Sequence, residues 1–274
     1  MIIIGERINS TRARIQEAIK ARNSAFILKE AVSQIEAGAY YVDVNCAVTS
    51  GDEVQDIDWA ISVIQSEVKD FNLCIDSPNY LAIDRALKVY KGKGNIIINS
   101  ITGDEDRIKT MLPLARAHNA KLIALTMDEH GMPDTAEGRF EAARAIFERV
   151  TKDGFRAEDL YFDPLIRPIS TEPRQAYEFL RSIPLVKSLG NVNTICGLSN
   201  VSFGLPSRST INASFLAMAM QAGLDAAILD PTDKNIVSSL AAARALLCND
   251  EYCAGYIRAY REGKLAKTWR RRYL

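Results

Sequence analysis

Histidine is scarce in this chain: two residues of 274, His118 and His130. So few imidazoles leave little room for a His-built metal site or a Ser-His-Asp hydrolase. His118 falls at the end of a helical stretch, where capping or a dipole interaction outweighs catalysis. The five cysteines (Cys46, Cys74, Cys196, Cys248 and Cys253) are scattered and form no CxxC pair. The spacing of Cys248 and Cys253 fits none of the common zinc motifs. Cys74 and Cys196 lie inside apolar runs and Cys46 directly follows one, as small buried hydrophobes in a reducing cytoplasm would. No run of about 18 apolar residues occurs, so no transmembrane helix is expected. Excess charge of one sign is also missing, with Lys+Arg 34 against Asp+Glu 34. Nothing therefore calls for a nucleic acid or a membrane surface as partner. No GxGxxG turn follows any apolar run, which weakens a dinucleotide-binding reading. Residues 1–7 show neither a basic leader nor a cleavage site, so they read as a first strand of a cytoplasmic chain.

What the chain does have is a series of short apolar runs, each ending in a polar residue. They are Tyr40-Tyr41-Val42-Asp43-Val44-Asn45, Leu73-Cys74-Ile75-Asp76-Ser77, Ile96-Ile97-Ile98-Asn99-Ser100, Leu122-Ile123-Ala124-Leu125-Thr126, Leu160-Tyr161-Phe162-Asp163 and Ile195-Cys196-Gly197-Leu198-Ser199-Asn200. Such runs read as strands buried on both faces, as in a parallel sheet. Between them lie amphipathic stretches of helical length at 23–36, 52–68, 79–88, 104–117, 135–151, 172–188, 209–222 and 234–247. Gly38 follows the first of these as a stop signal. Ser170-Thr171-Glu172-Pro173 offers a helix cap followed by Pro. With Ala226-Ala227-Ile228-Leu229-Asp230 as the last strand, eight strand-then-helix units fill about the length a TIM (β/α)8 barrel needs. A doubly wound open sheet is the alternative. No linker or composition break appears, so residues 1–274 are expected to form one domain. A C-terminal helical tail is expected over 251–274, and its basic end at 267–272 reads as a solvated terminus.

In a parallel α/β fold the carboxyl ends of the strands gather on one face, where ligands bind. That places Glu6, Asn9, Asp43, Asn45, Asp76, Asn99, Ser100, Thr126, Asp163 and Asn200 around one rim. Each alone could instead cap the following helix, as Asp and Asn commonly do. Asp43 and Asn45 share a strand face, so one rim role can serve both. Asp76, Asn99, Asp163 and Asn200 come from four different strands, which favours function for them. The set is rich in carboxylate and carboxamide and holds no metal-like cluster. A carboxylate accepts two parallel N–H bonds, and a carboxamide donates and accepts at once. Such a set suits a flat heterocycle with N–H edges, a pterin or a purine.

Several motifs then resemble a known family. Gly197-Leu198-Ser199-Asn200-Val201-Ser202-Phe203-Gly204, with Arg208, Asn212, Phe215-Leu216 and Gly223-Leu224-Asp225-Ala226-Ala227-Ile228 after it, is similar to the pterin-binding methyltransferases. These include the methyltetrahydrofolate:corrinoid protein methyltransferases and the folate domain of cobalamin-dependent methionine synthase. Ile4-Gly5-Glu6-Arg7-Ile8-Asn9, Leu73-Cys74-Ile75-Asp76-Ser77, Ile98-Asn99-Ser100 and Leu160-Tyr161-Phe162-Asp163-Pro164-Leu165 resemble the same family in order. The length matches its stand-alone members. Dihydropteroate synthases share the barrel but use a Ser-Arg-Lys motif where this chain reads Ser199-Asn200-Val201, which argues against pterin synthesis.

The resemblance implies an enzyme that exchanges a methyl group between N5 of tetrahydrofolate and the cobalt of a corrinoid (cobalamin) held by a transient partner protein. It implies a homodimer and no metal bound by the chain itself. By the same resemblance, Asp163 accepts hydrogen bonds from pterin N3–H and the 2-amino group. Asp76 and Asn99 hold other polar edges, and Asn200, the expected catalytic residue, lies near N5. Glu6, Asn9 and Ser202 support this shell, and Arg208 either faces the benzoyl-glutamate tail or braces its loop. The alternatives are a dihydropteroate-synthase-like enzyme and a non-catalytic module that binds pterin or docks a corrinoid protein.

Overall fold

The computed structural model describes residues 1–47 and 51–266. Eight strands follow one another as β1 (Ile2–Asn9), β2 (Tyr41–Asn45), β3 (Asn72–Asp76), β4 (Ile96–Ile101), β5 (Lys121–Leu125), β6 (Leu160–Asp163), β7 (Asn193–Gly197) and β8 (Ala226–Leu229). They form a closed barrel in sequence order. β1 closes it by pairing parallel to both β2 and β8. Of the barrel and the open sheet, the chain thus adopts the barrel.

Helices α1 (Ala13–Lys20) and α2 (Ser24–Glu36) follow β1, and α3 (Glu53–Glu67), α4 (Tyr80–Val89), α5 (Glu105–Ala117), α6 (Ala136–Lys152), α7 (Gln175–Lys187), α8 (Arg208–Ala222) and α9 (Lys234–Leu246) follow the later strands. α1 is not among the helices expected from the sequence. It has only eight residues, yet Ile15, Ala18 and Ile19 bury one face at helical spacing. α7 begins later than expected: residues 170–174 form turns, and Thr171 Oγ1 donates to the Pro168 carbonyl instead of capping a helix. β7 likewise stops at Gly197, and Leu198–Ser202 winds into a 3-10 turn. In the tail, helix α10 (Ala254–Arg261) packs on α9, and Ala266 N–H donates to Ser238 Oγ. The basic end at 267–272 lies outside the described residues.

Two apolar layers hold the fold. One lies between sheet and helices and is built from residues such as Val42, Ile75, Ile98, Leu122 and Phe162. The other fills the barrel with Ile4, Tyr41, Cys74, Ile97, Ile123, Tyr161, Ile195 and Ala226, one from each strand. Alternation along a strand puts the residue two positions further on the same inner face. Those residues are Glu6, Asp43, Asp76, Asn99, Leu125, Asp163, Gly197 and Ile228, and all of them line the cavity above the interior layer. Cys46, Cys74 and Cys196 are buried, as expected, whereas Cys248 and Cys253 are exposed.

Candidate active site

Helix capping is carried out by residues outside the candidate set. Asn23, Asp52, Asn79, Asp104, Thr135 and Asp233 accept backbone N–H bonds at the starts of α2, α3, α4, α5, α6 and α9. Asp43, Asp76, Asn99 and Asp163 are therefore not needed as caps. They face the barrel axis instead, in a cavity of about 830 Å³ at the carboxyl ends of the strands. Glu6, Asn9, Asn200 and Arg208 line the same cavity. Leu125, Leu165, Ile228 and Ile236 supply apolar wall. The size is ordinary for a small-molecule site.

The floor is a ring of carboxylates, with Asp43 and Asp163 buried and Glu6 and Asp76 partly exposed. Asp163 is 7 % exposed and accepts the Leu165 N–H at 2.8 Å. Burial pushes its carboxyl up to about 7, against the opposing pull of the Leu165 and Gly197 amides and of Arg139. Asp43 has an Oδ1 with no hydrogen-bond partner, and burial followed by the nearby Asp76 charge drives its carboxyl well above the ordinary range. Asp76 is raised chiefly by burial, while Asn45 Nδ2 donates to its Oδ2 at 3.0 Å. Glu6 is also raised by burial, countered most by Ser199 Oγ, which donates to Glu6 Oε1 at 2.7 Å. Asp43 Oδ1 has no donor, and the donors to Asp163, Asp76 and Glu6 leave acceptor capacity on each carboxylate, so the floor suits a ligand that brings its own N–H groups.

Asn200 stands on the 3-10 turn after β7, at the mouth. A Cβ added at Gly197 would lie 3.0 Å from Asn200 Nδ2, so the glycine makes room for this carboxamide. Arg208 braces the turn: Nε donates to Ser202 Oγ at 3.1 Å and Nη2 to the Ser199 carbonyl at 2.6 Å.

Four expected site residues do not line this cavity. Thr126 is one position beyond cavity-lining Leu125, so alternation turns it away; it is buried with Oγ1 unpartnered. Ser202 is fully buried beneath the turn that Arg208 braces. Asn45 acts through Asp76, as its hydrogen bond shows. Ser100 lines an adjoining cavity of about 460 Å³ that shares Asp76, Asn99 and Leu125. Arg12, Phe203, Asn212 and Asp230, not among the expected site residues, also line the main cavity. Asn212 is 6 % exposed with Oδ1 unpartnered. Asp230 ends the eighth apolar run as the others end, and Asn212 lies one helical turn beyond Arg208; both are signals that a sequence carries. Among the described residues, no group of three or more His, Cys, Asp or Glu side chains is arranged to hold a metal ion. No helix among them is long and apolar enough to cross a membrane.

Residues 5–230 match the model of a family described as pterin binding enzyme. The chain is 34 % identical over 269 residues to methylcorrinoid:tetrahydrofolate methyltransferase from Eubacterium limosum, covering 97 % of this chain and 98 % of the relative. It is 30 % identical over 243 residues to methionine synthase from Mycobacterium tuberculosis, covering 84 % of this chain but 20 % of that larger protein. Among solved structures, Yersinia pestis DHPS with a pterine-sulfa conjugate superposes with a TM-score of 0.66 at 14 % identity, covering 90 % of this chain and 94 % of that one. A Xanthomonas albilineans dihydropteroate synthase with 4-aminobenzoic acid gives 0.64 at 18 % identity, covering 90 % and 91 %. These two show the shared barrel. With its closed barrel, its ring of carboxylates and a family match over 5–230, this chain belongs to the pterin-binding enzymes.

Proposed function

We propose that this chain is a methyltransferase that exchanges a methyl group between the cobalt of a corrinoid carried by a partner protein and N5 of tetrahydrofolate. The observation that carries the reading is the relationship over nearly the full length of both chains to methylcorrinoid:tetrahydrofolate methyltransferase. The cavity chemistry supports it. In this reading Asp163 accepts from N3–H and the 2-amino group of a pterin, with Asp76 and Asn99 on another polar edge. Asn200 at the mouth would face N5, supported by Glu6 and Asn9 and held by the turn that Arg208 and Ser202 brace.

In the direction named for the relative, the N5 lone pair attacks the methyl carbon of the methylcorrinoid. The cobalt–carbon bonding pair stays on cobalt, and N5 loses its proton. In reverse, N5 is a poor leaving group until it is protonated or hydrogen-bonded. The Asn200 carboxamide can donate to N5 or accept from N5–H, and it accelerates transfer only by binding more strongly in the transition state. The cavity mouth must stay open to the corrinoid, and holding both reactants in line supplies much of the rate.

We assign no divalent ion to the chain's own chemistry, so dialysis against a chelator should leave turnover intact. Loss restored by one specific ion would reverse that assignment. The reaction itself is tested by methyl transfer from methylcobalamin to tetrahydrofolate and from methyltetrahydrofolate to cob(I)alamin. Turnover is the expected result. Pterin affinity without turnover would make the chain a binding module. Dihydropteroate formation from a dihydropterin pyrophosphate and 4-aminobenzoate would make it a synthase. A homodimer is part of the same proposal, since Met218, Leu246, Tyr252 and Tyr260 remain exposed on the segments α8 to α10.

A further inference from the structure

Tetrahydrofolate is more than its pterin: C6, bonded directly to N5, carries an aminobenzoyl arm that ends in glutamate carboxylates. If N5 faces Asn200, that arm must leave the cavity beside Asn200. Two side chains with no role so far stand there. Phe203, three residues beyond Asn200, lines the cavity yet is 63 % exposed. The ring therefore offers an apolar face to anything that leaves the cavity on this side.

The backbone that carries the ring is fixed on both sides. Phe203 N–H donates to the Asn200 carbonyl at 3.2 Å, and Ser170 Oγ donates to the Phe203 carbonyl at 2.8 Å. Gly204 then turns the chain with a left-handed φ of +79°. The Arg208 guanidinium carbon lies 5.7 Å from the ring centroid, which orients the ring against a cation.

Arg12 is the second side chain. Among the described residues lining the cavity, Arg12 and Arg208 are the cations. Arg208 is committed to Ser202 and the Ser199 carbonyl. Among the described residues, the Arg12 side chain is tethered only by a 3.4 Å pair with Glu6 Oε1, the same oxygen that accepts from Ser199 next to Asn200. Its side chain is 40 % exposed at the mouth.

We infer that Phe203 and Arg12 form a subsite for the arm, Phe203 stacking on its aryl ring and Arg12 pairing with a terminal carboxylate. The subsite rests on the folate reading above and adds selection of the folate tail to recognition of the pterin. An offset aromatic stack and an exposed charge pair are both modest interactions, so each should shift affinity by about three- to tenfold.

The test measures dissociation constants of wild type, Phe203→Ala and Arg12→Gln for three ligands. They are tetrahydrofolate, tetrahydropteroate (no glutamate) and 6-methyltetrahydropterin (no arm). Phe203→Ala should weaken tetrahydrofolate and tetrahydropteroate about tenfold and leave the pterin unchanged. Arg12→Gln should weaken tetrahydrofolate alone, by roughly threefold or more. Phe203→Tyr keeps the stacking face and should bind all three as wild type does. A variant that weakens all three ligands equally would overturn the subsite while leaving the pterin site intact. So would unchanged tetrahydrofolate affinity with slower transfer from a corrinoid protein, which would assign the ring to the partner. Wild type that binds none of the three would overturn the folate reading and the subsite together.

Discussion

At the scale of single residues, the site depends on keeping carboxylates where burial resists their charge. Asp163 is the clearest case, with its carboxyl pushed up to about 7. Only the ionised form accepts two N–H bonds, so binding favours ionisation. Pterin affinity should therefore rise about tenfold per pH unit below 7 and level off above it. The same shift has a stability consequence of opposite sign. The free folded chain holds a proton on Asp163 that the unfolded chain has lost between the ordinary carboxylate range and 7. Its contribution to stability is thus present at low pH and lost as pH rises through that window. Asp163→Asn should abolish the pH dependence of binding and cost about 1.5–3 kcal/mol, or roughly tenfold to a hundredfold in affinity. Titration with tetrahydrofolate at several pH values checks both, and a persistent pH dependence in the variant would move the effect to Asp43, Asp76 or Glu6. Asn200→Ala should lower kcat/KM for methyl transfer by on the order of tenfold or more, with a smaller effect on thermal stability. Wild-type rates in that variant would mean that water or another side chain activates N5.

At the scale of elements, the turn after β7 does most of the positioning. Gly197 ends the strand, Leu198–Ser202 forms the 3-10 turn, and Arg208 at the start of α8 braces it from behind. A methyl at Gly197 would press on the Asn200 carboxamide at 3.0 Å. Gly197→Ala should therefore reduce kcat for transfer about tenfold while leaving 6-methyltetrahydropterin affinity near wild type. Steady-state kinetics alongside binding separates the two, and an equal loss in both would show a damaged cavity instead of a displaced Asn200. Thr126 illustrates the reverse lesson at this scale. It ends an apolar run as Asp163 does, but one step of alternation puts it on the other face of its strand.

For the whole molecule, closure of β1 against β8 brings the two ends of the barrel sequence to one mouth. Arg7 shows the link: its Nε donates to Glu30 Oε2 at 2.6 Å and its Nη1 to Asp230 Oδ2 at 2.9 Å. The apolar stretches of α8 and α9 are spent mainly inside the molecule, with Phe215, Leu216, Ala219, Leu240 and Ala243 buried. What remains outside on this face, including Met218 at 56 % and Leu246 at 82 % exposed, is the basis for the proposed dimer. Light scattering at micromolar concentration should give twice the mass of one chain. A monomer mass would remove the dimer without touching the catalytic reading.

Apart from the short helix α1, strand and helix order is legible in the sequence by itself, because the apolar runs and the amphipathic stretches are local patterns. So is the identity of the polar floor. Strand alternation is local, and Asp43, Asp76, Asn99 and Asp163 each lie two positions beyond an interior apolar residue, on the same strand face. The mouth is not legible in the same way. Arg12 stands at the start of α1, Phe203 follows a 3-10 turn, and Asn212 lies on α8. No periodicity relates these three elements. Their shared cavity exists because the barrel closes and sets β1 and the β7 turn on either side of β8, with Ser199 donating to Glu6 across 193 positions of sequence. Local chemistry selects what a strand presents, whereas contacts so distant in sequence arise only when the chain has closed on itself.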